Sequence, residues 1–164
     1  MRLFILLLVA ATAWAALASQ ASANATQVVT MTFAEPIHPA ITCPGFPDVS
    51  CGTGEVIPLG QATETVQFGA GCGGSCDLRT ITLTGGSLTL EETASNATCP
   101  ATQACRPGPL ELGSATLADV IVGGTGTFAG ATGTLTGTVR LAGSNARPAG
   151  ESIVKLSGTI HYDP

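Results

Sequence analysis

The stretch that most constrains the fold is a glycine-rich turn between two apolar segments, residues 120–133. Residues 120–122 are all apolar, and glycines then dominate residues 123–133 around a single large aromatic residue, Phe128. Residues 132–141 alternate Thr and Gly with apolar residues, which is typical of a strand with one buried face. Glycine tolerates positive φ and allows another backbone to approach closely. The stretch therefore predicts two strands joined by a tight glycine turn.

A dinucleotide-binding fingerprint is a competing interpretation of the same residues. Gly124-x-Gly126-x-x-Ala129 follows an apolar strand, and the last position of that fingerprint can be Gly or Ala. The fingerprint requires a helix whose N-terminus faces the pyrophosphate. Because residues 130–139 carry a strand pattern instead, we reject the nucleotide hypothesis.

The segment from Gly123 to Gly133 can also be written Gly-Gly-Thr-Gly-x-Phe-x-x-Ala-x-Gly. In that form it resembles the signature turn of the dirigent proteins and of the related allene oxide cyclase barrel. The resemblance implies an all-β, eight-stranded antiparallel barrel in which Phe128 plugs part of the core. It also implies a homo-oligomer as one assembly state. The residue pattern by itself leaves a β-sandwich open as the alternative fold.

The remainder of the chain predicts strands and no helix outside the N-terminal segment. A loop is expected over residues 36–54. The predicted strands cover residues 27–34, 61–68, 78–84, 87–93, 110–122, 132–141 and 153–162.

The N-terminus has the form of a signal peptide. A short positive n-region, Met1-Arg2, precedes an apolar run over residues 3–18, and Ala21-Ser22-Ala23 has the small-x-small form of a cleavage site. We therefore predict a signal peptide over residues 1–23, a single domain over residues 24–164, and a secreted, extracellular or periplasmic location.

The six cysteines all follow the predicted cleavage site, so disulfides are expected in an exported protein. Short segments rich in Gly, Pro or Ala separate them in sequential pairs. We therefore predict the local pairs Cys43–Cys51, Cys72–Cys76 and Cys99–Cys105. A metal site is not expected, because His38 and His161 complete no ligand set.

Charge and composition exclude several classes of partner. The formal net charge is −5, and no basic cluster offers a footprint for nucleic acid or for an anionic membrane. Aromatic residues are too scarce for stacking platforms or for the girdles of a membrane-inserted barrel. No sequence feature indicates a cofactor. A small-molecule ligand is the partner that these exclusions leave.

Four ionisable residues share the phase of apolar residues in their strands. Glu64 is in phase with Val66 and Phe68, and the other three are Arg79, Glu92 and Asp119. Because side chains alternate across a strand, these four are predicted to point into a barrel, as candidate ligand-binding residues. Buried charges are costly unless they are paired, which makes such a cluster a candidate site. The alternative is that they lie at the mouth or the surface and have no chemical role.

Three functions remain open from the sequence. The leading hypothesis is a non-catalytic barrel that binds a small apolar or amphipathic ligand, or steers its chemistry. The second is an isomerase or cyclase that uses Glu64, Glu92 or Asp119 as acid or base. The third is a structural or cell-surface protein with a solid barrel.

Overall fold

The chain forms a closed barrel of eight antiparallel strands in a computed structural model that describes residues 25–36, 43–45, 48–98, 113–142 and 151–163. The predicted signal peptide and the predicted pair Cys99–Cys105 lie outside the described residues. The strands are β1 Ala25–Pro36, β2 Val49–Ile57, β3 Gly60–Gly71, β4 Cys76–Leu83, β5 Gly86–Thr98, β6 Ser114–Gly126, β7 Thr132–Ala142 and β8 Glu151–Tyr162.

Strand order around the barrel follows chain order, and β1 closes the sheet by pairing with β8 along its whole length. The prediction of an eight-stranded antiparallel barrel is therefore confirmed. Closure leaves no unpaired sheet edge, which removes the main aggregation hazard of an all-β chain. None of the described residues belongs to a helix that could cross a bilayer.

The prediction of a loop over residues 36–54 is wrong, because β2 begins at Val49. The inward positions of β2 include Gly52 and Gly54, so the strand lacks the alternation of apolar side chains that marks the others. A Cβ atom at Gly54 would lie 2.7 Å from Cδ1 of Phe33 and 2.0 Å from the Thr32 carbonyl oxygen. These glycines make room for side chains of neighbouring strands, and the same absence of side chains hides the strand from sequence analysis.

The interior of most of the barrel is apolar. Alternating residues of every strand face inward, so that β1 contributes Val29, Met31 and Phe33, each no more than 1% exposed. Complete burial of such a side chain stabilises the fold by about 1.5–3 kcal/mol. The core also contains Val56, Ala62, Ile81, Leu83, Leu88, Leu90, Leu117, Ile121, Phe128, Ala131, Leu135, Val154, Leu156 and Ile160.

The two ends of the barrel differ. The short turns β2–β3, β4–β5 and β6–β7 lie at one end, here the turn end. At the other end are the strand termini that lead to the β1–β2, β3–β4, β5–β6 and β7–β8 connections. All six cysteines lie by sequence in or next to three of these connections, and we call this the cysteine-loop end.

Two of the three predicted disulfides are confirmed among the described residues. Cys43 is bonded to Cys51, with 5.6 Å between their Cα atoms, and Cys72 is bonded to Cys76, with 5.4 Å. Both close short loops at the cysteine-loop end. Such bonds stabilise a fold mainly by restricting the unfolded chain.

The glycine-rich turn lies at the turn end, between β6 and β7. Gly126 and Gly130 have φ of +58° and +74°, and a Cβ atom at Gly124 would lie 2.3 Å from the Phe128 carbonyl oxygen. The turn folds Phe128 into the core, where the side chain is 3% exposed and its ring centroid lies 5.1 Å from that of Tyr162. Glycine is thus required here both for backbone angle and for close approach.

We expect Phe128→Ala to lower the free energy of unfolding by about 3–5 kcal/mol, because it removes a buried ring and leaves a cavity. Val122→Ala, at a 51% exposed position on the adjoining strand, is the control and should stay within about 0.5 kcal/mol of wild type. Chemical denaturation of both variants measures the difference. Equal stabilities for the two variants would contradict the role of Phe128 in the core.

Candidate functional site

All four ionisable residues singled out by strand phase lie inside the barrel. Glu64 on β3, Arg79 on β4 and Asp119 on β6 are 1%, 2% and 1% exposed, and Glu92 on β5 is 5% exposed. Arg140, Lys155 and His161, which are out of phase with the apolar residues, are exposed on the outer face. Alternation along the strands therefore places these seven residues on the inner or the outer face as their strand phase indicates.

Arg79 is the centre of this inner set. Its Nη1 donates hydrogen bonds to Oε2 of Glu64 and, at 3.3 Å, to Oε1 of Glu35. Its Nε donates to Oε2 of Glu92 at 2.8 Å. The guanidinium thus joins carboxyl groups from β1, β3 and β5, using a fixed planar array of donors that a lysine could not provide.

Sequence analysis missed Glu35, the third carboxyl group on Arg79. The first strand was predicted to end at Ala34, whereas β1 continues to Pro36 and places Glu35 inside the barrel, 6% exposed. Its other carboxyl oxygen accepts a hydrogen bond of 3.2 Å from the Ser50 hydroxyl. A signal was present, because Glu35 follows Phe33 by two residues and so has the inward phase of the strand.

Gly52 provides the space in which two of these carboxyl groups meet. It is paired with Glu64 in the β2–β3 ladder. A Cβ atom at Gly52 would lie 2.8 Å from Oε1 of Glu64 and 3.1 Å from Cγ of Glu35. Any larger residue would therefore push these acids apart. A second acid pair stands on the neighbouring strands, where Glu92 is opposite Asp119 in the β5–β6 ladder.

We refer to Glu35, Glu64, Arg79, Glu92 and Asp119 as the Arg79 cluster. Three buried carboxyl oxygens within it have no conventional hydrogen-bond donor: Oε1 of Glu64 and both oxygens of Asp119. Unpartnered buried oxygens of this kind are costly if the group is ionised. They indicate that these carboxyl groups hold a proton or accept a hydrogen bond from something outside the described residues.

The pKa values of two carboxyl groups reflect this environment. Burial raises the pKa of Glu64 to about 8, because the opposing effect of Arg79 is insufficient and Glu35 adds to the rise. Burial and the adjacent Glu92 raise the pKa of Asp119 to about 8. Burial acts to lower the pKa of Arg79, but Glu64, Glu92 and Glu35 together hold it well above its ordinary value. Hence Glu64 and Asp119 are mostly protonated at neutral pH, and Arg79 is always charged.

Protonation gives Asp119 a hydrogen-bond partner. No N–H group and no hydroxyl group of the described residues donates to either of its oxygens. Two carboxylates cannot hydrogen-bond to each other, but protonated Asp119 donates to Glu92, and protonated Glu64 donates to Glu35.

The Arg79 cluster lies directly below the cysteine-loop end of the barrel. Along β5 the inward positions pass from buried Leu90 and Glu92 to exposed Ala94. Four of the inward positions at this end carry small side chains, and we call these four the mouth: Ser50, Ala94, Ala115 and Ser152. Half-buried Phe68 and Asp77 have the same inward phase and lie at this end as well. On the other side of the cluster, toward the turn end, the apolar core fills the barrel. Val66 on β3 and Leu117 on β6, each 2% exposed, lie on the cysteine-loop side of Glu64 and Asp119. The charged layer is therefore approached most directly at Glu92, beneath exposed Ala94.

One group of side chains elsewhere in the described residues has the spacing of a metal site. The donor atoms of Cys72, Cys76 and Glu91 all lie within 4.8 Å of one another. The two sulfur atoms form a disulfide, so they offer no thiolate ligands. Glu91 instead accepts a hydrogen bond of 2.8 Å from the Cys72 backbone N–H and fixes the β3–β4 turn.

Comparisons with known proteins give one structural likeness. No protein-family model matches the chain, and no curated protein matches it. The solved structure of the pterocarpan synthase dirigent protein GePTS1 is similar with a TM-score of 0.39 and 12% sequence identity, over 84% of this chain and 86% of that one. That protein is of the dirigent type that the glycine-rich turn resembles.

The raised pKa values predict that the barrel loses stability as the pH rises. In the unfolded chain Glu64 and Asp119 have ordinary pKa values of 4.5 and 3.8, and in the barrel both are about 8. Folding is therefore favoured most when both hold protons, and this contribution is lost as the pH rises from about 4.5 to 8. We expect the free energy of unfolding to fall by at least about 2 kcal/mol between pH 5 and pH 8.

Denaturant titrations across that pH range measure this effect. Glu64→Gln and Asp119→Asn should each flatten the profile, because the amide cannot ionise. Glu55→Gln changes an exposed acid of β2 and should leave the profile parallel to that of wild type. A wild-type profile that is flat or rises with pH would show that these carboxyl groups do not hold protons in the barrel.

Removal of the central guanidinium gives a separate prediction. We expect Arg79→Met to destabilise the barrel by about 3–5 kcal/mol at pH 7, because it leaves buried carboxylates without compensation. The loss should shrink at pH 5, where more of these carboxyl groups are protonated. Arg140→Met, on the exposed face of β7, is the matched control and should have little effect at either pH. Thermal and denaturant unfolding at the two pH values test this, and equal losses at both would contradict it.

Proposed function

We propose that this chain is a secreted, non-catalytic barrel protein that binds a small amphipathic molecule at its mouth. The observation that carries the proposal is the set of buried oxygens on Glu64 and Asp119 that lack donors. Asp119 is paired with Glu92, which lies one strand repeat beneath Ala94, an inward position that is exposed. A few polar groups that converge beneath an opening are a usual feature of a small-molecule site.

The packing of the barrel determines where such a ligand would lie. Below the Arg79 cluster the core residues of β1, β5 and β8 are between 0% and 1% exposed, so the ligand has no room to pass the cluster. Its polar part would face the cluster, and its apolar part would lie among the small residues of the mouth. The disulfides Cys43–Cys51 and Cys72–Cys76 at this end support both an exported location and a rigid rim.

A fluorescent probe with two matched variants tests the proposal. N-phenyl-1-naphthylamine is uncharged at neutral pH and fluoresces in apolar surroundings. We expect saturable binding to wild type, and at least about tenfold weaker binding to Ala94→Phe, because the new ring fills the mouth. Ser95→Phe places the same ring one residue later on the outer face of β5 and should bind the probe as wild type does.

Two results would contradict this function. One is the absence of saturable binding by a folded wild-type protein, and the other is equal binding by Ala94→Phe and wild type. Either result would favour the structural hypothesis, in which the barrel is a filled scaffold. Circular dichroism and unfolding curves of both phenylalanine variants confirm that the comparison is made between folded proteins.

A second candidate function is supported by the protonation of the same acids. A carboxyl group with a pKa of about 8, as in Glu64 and Asp119, is a competent proton donor at neutral pH. An isomerase or cyclase would therefore have its acid in place. Wild-type protein would convert a compound bound at the mouth into an isomer of equal mass, and Glu64→Gln and Asp119→Asn would bind that compound without converting it. Recovery of the compound unchanged from wild type favours the non-catalytic function.

A further inference from the structure

The composition of the Arg79 cluster contains information on the chemical class of the ligand. Three carboxyl groups bind the guanidinium of Arg79, Asp119 stands opposite Glu92, and the described residues place no other cation among them. Half-buried Asp77 faces Glu92 from β4. If the four carboxyl groups of the cluster were all ionised, it would carry a net charge of −3, and Asp77 would add to the excess. Buried charge of one sign is strongly unfavourable in a low-dielectric interior. The cluster therefore lacks positive charge.

The hydrogen bonds of the cluster also leave some of its carboxyl oxygens without a partner. Arg79 donates to Glu35, Glu64 and Glu92, and Ser50 donates to the second oxygen of Glu35. Apart from the protons held by the acid pairs themselves, no donor of the described residues lies within hydrogen-bond distance of Oε1 of Glu64 or of either oxygen of Asp119. Both of these side chains are only 1% exposed, so water at the barrel surface does not hydrate them fully. What the cluster lacks is a group with positive charge and several donors together.

We propose that the mouth binds a small amphipathic amine, whose ammonium group donates hydrogen bonds to unpartnered carboxyl oxygens of the Arg79 cluster. This inference rests on the proposed function, because it names the class of ligand for the same site. An ammonium has three donors and no acceptor, which complements acceptors that have no donor of their own. A carboxylate ligand would be repelled by the cluster, and an alcohol would supply a donor without the charge.

Binding of an ammonium group changes the number of protons that the protein holds. In the free protein the acid pairs hold protons in place of the missing cation. Arrival of an ammonium group stabilises the ionised carboxylates, so protons pass from Glu64 and Asp119 to the solvent. Binding of a neutral ligand leaves the charge of the cluster unchanged and releases none. The proton count therefore distinguishes ammonium recognition from binding of an apolar chain alone.

The experiment compares three ligands that share a six-carbon chain: hexylamine, hexan-1-ol and hexanoate. At pH 7 hexylamine is an ammonium ion, as a lysine amine is. Each ligand displaces N-phenyl-1-naphthylamine from the full mature protein, and calorimetry in buffers of different ionisation enthalpy counts the protons released. We expect hexylamine to bind at least about tenfold more tightly than hexan-1-ol, with hexanoate weakest, and only hexylamine to release protons.

Three variants assign the preference to particular residues. Glu64→Gln and Asp119→Asn should each reduce the preference for amine over alcohol to about threefold or less, because the neutral amide removes the charge that attracts the ammonium group. Glu55→Gln, at an exposed position on the outer face of β2, should retain the full preference. Proton release should diminish in the first two variants and persist in the third.

The outcomes separate this inference from the function on which it rests. If hexan-1-ol or hexanoate binds as tightly as hexylamine, or if no hexyl compound displaces a probe that does bind, ammonium recognition is wrong and a binding barrel remains. Equal preference in Glu64→Gln, Asp119→Asn and wild type would also overturn it. If neither the probe nor any hexyl compound binds, the proposed function itself fails.

Discussion

The buried guanidinium of Arg79 is the interaction on which the interior arrangement of this barrel depends. A charged side chain that is 2% exposed would be prohibitively unfavourable without partners. Its partners come from β1, β3 and β5, which are separated by 44, 15 and 13 residues from Arg79 along the chain. A shift of any of these strands by one residue would turn its carboxyl group to the outer face. The cluster therefore constrains strand register as well as charge.

Accommodation of the cluster explains features of β2 that would otherwise weaken a strand. Glycine inside a strand loses packing and costs conformational entropy. At Gly52 that loss is offset because the empty volume holds the Glu64 carboxyl group beside Glu35, and at Gly54 it is offset by the Phe33 ring. The barrel is thus divided into an apolar compartment toward the turn end and a charged layer toward the cysteine-loop end. Gly54 borders the apolar compartment and Gly52 borders the charged layer.

Strand phase was sufficient to predict much of this from the sequence. It identified the inward direction of Glu64, Arg79, Glu92 and Asp119, because the alternation of side chains is a local property. It did not identify β2, whose inward glycines carry no hydrophobic signal. It also did not indicate that Glu35 meets Arg79, because that contact depends on the closure of the barrel. The unpartnered state of Asp119 was likewise beyond prediction, since it follows from three-dimensional packing and not from any motif.

Stability alone does not account for a cluster of this composition. Replacement of a buried ionic group by well-packed apolar side chains of similar volume is often neutral or stabilising. The adjacent core shows that this barrel can bury such side chains well, with Met31, Ile81 and Leu90 fully inaccessible. A scaffold would have been served equally by extending that core to the mouth. An excess of buried carboxyl groups over cations, with three carboxyl oxygens left unpartnered, is instead the arrangement that a cationic ligand would complete.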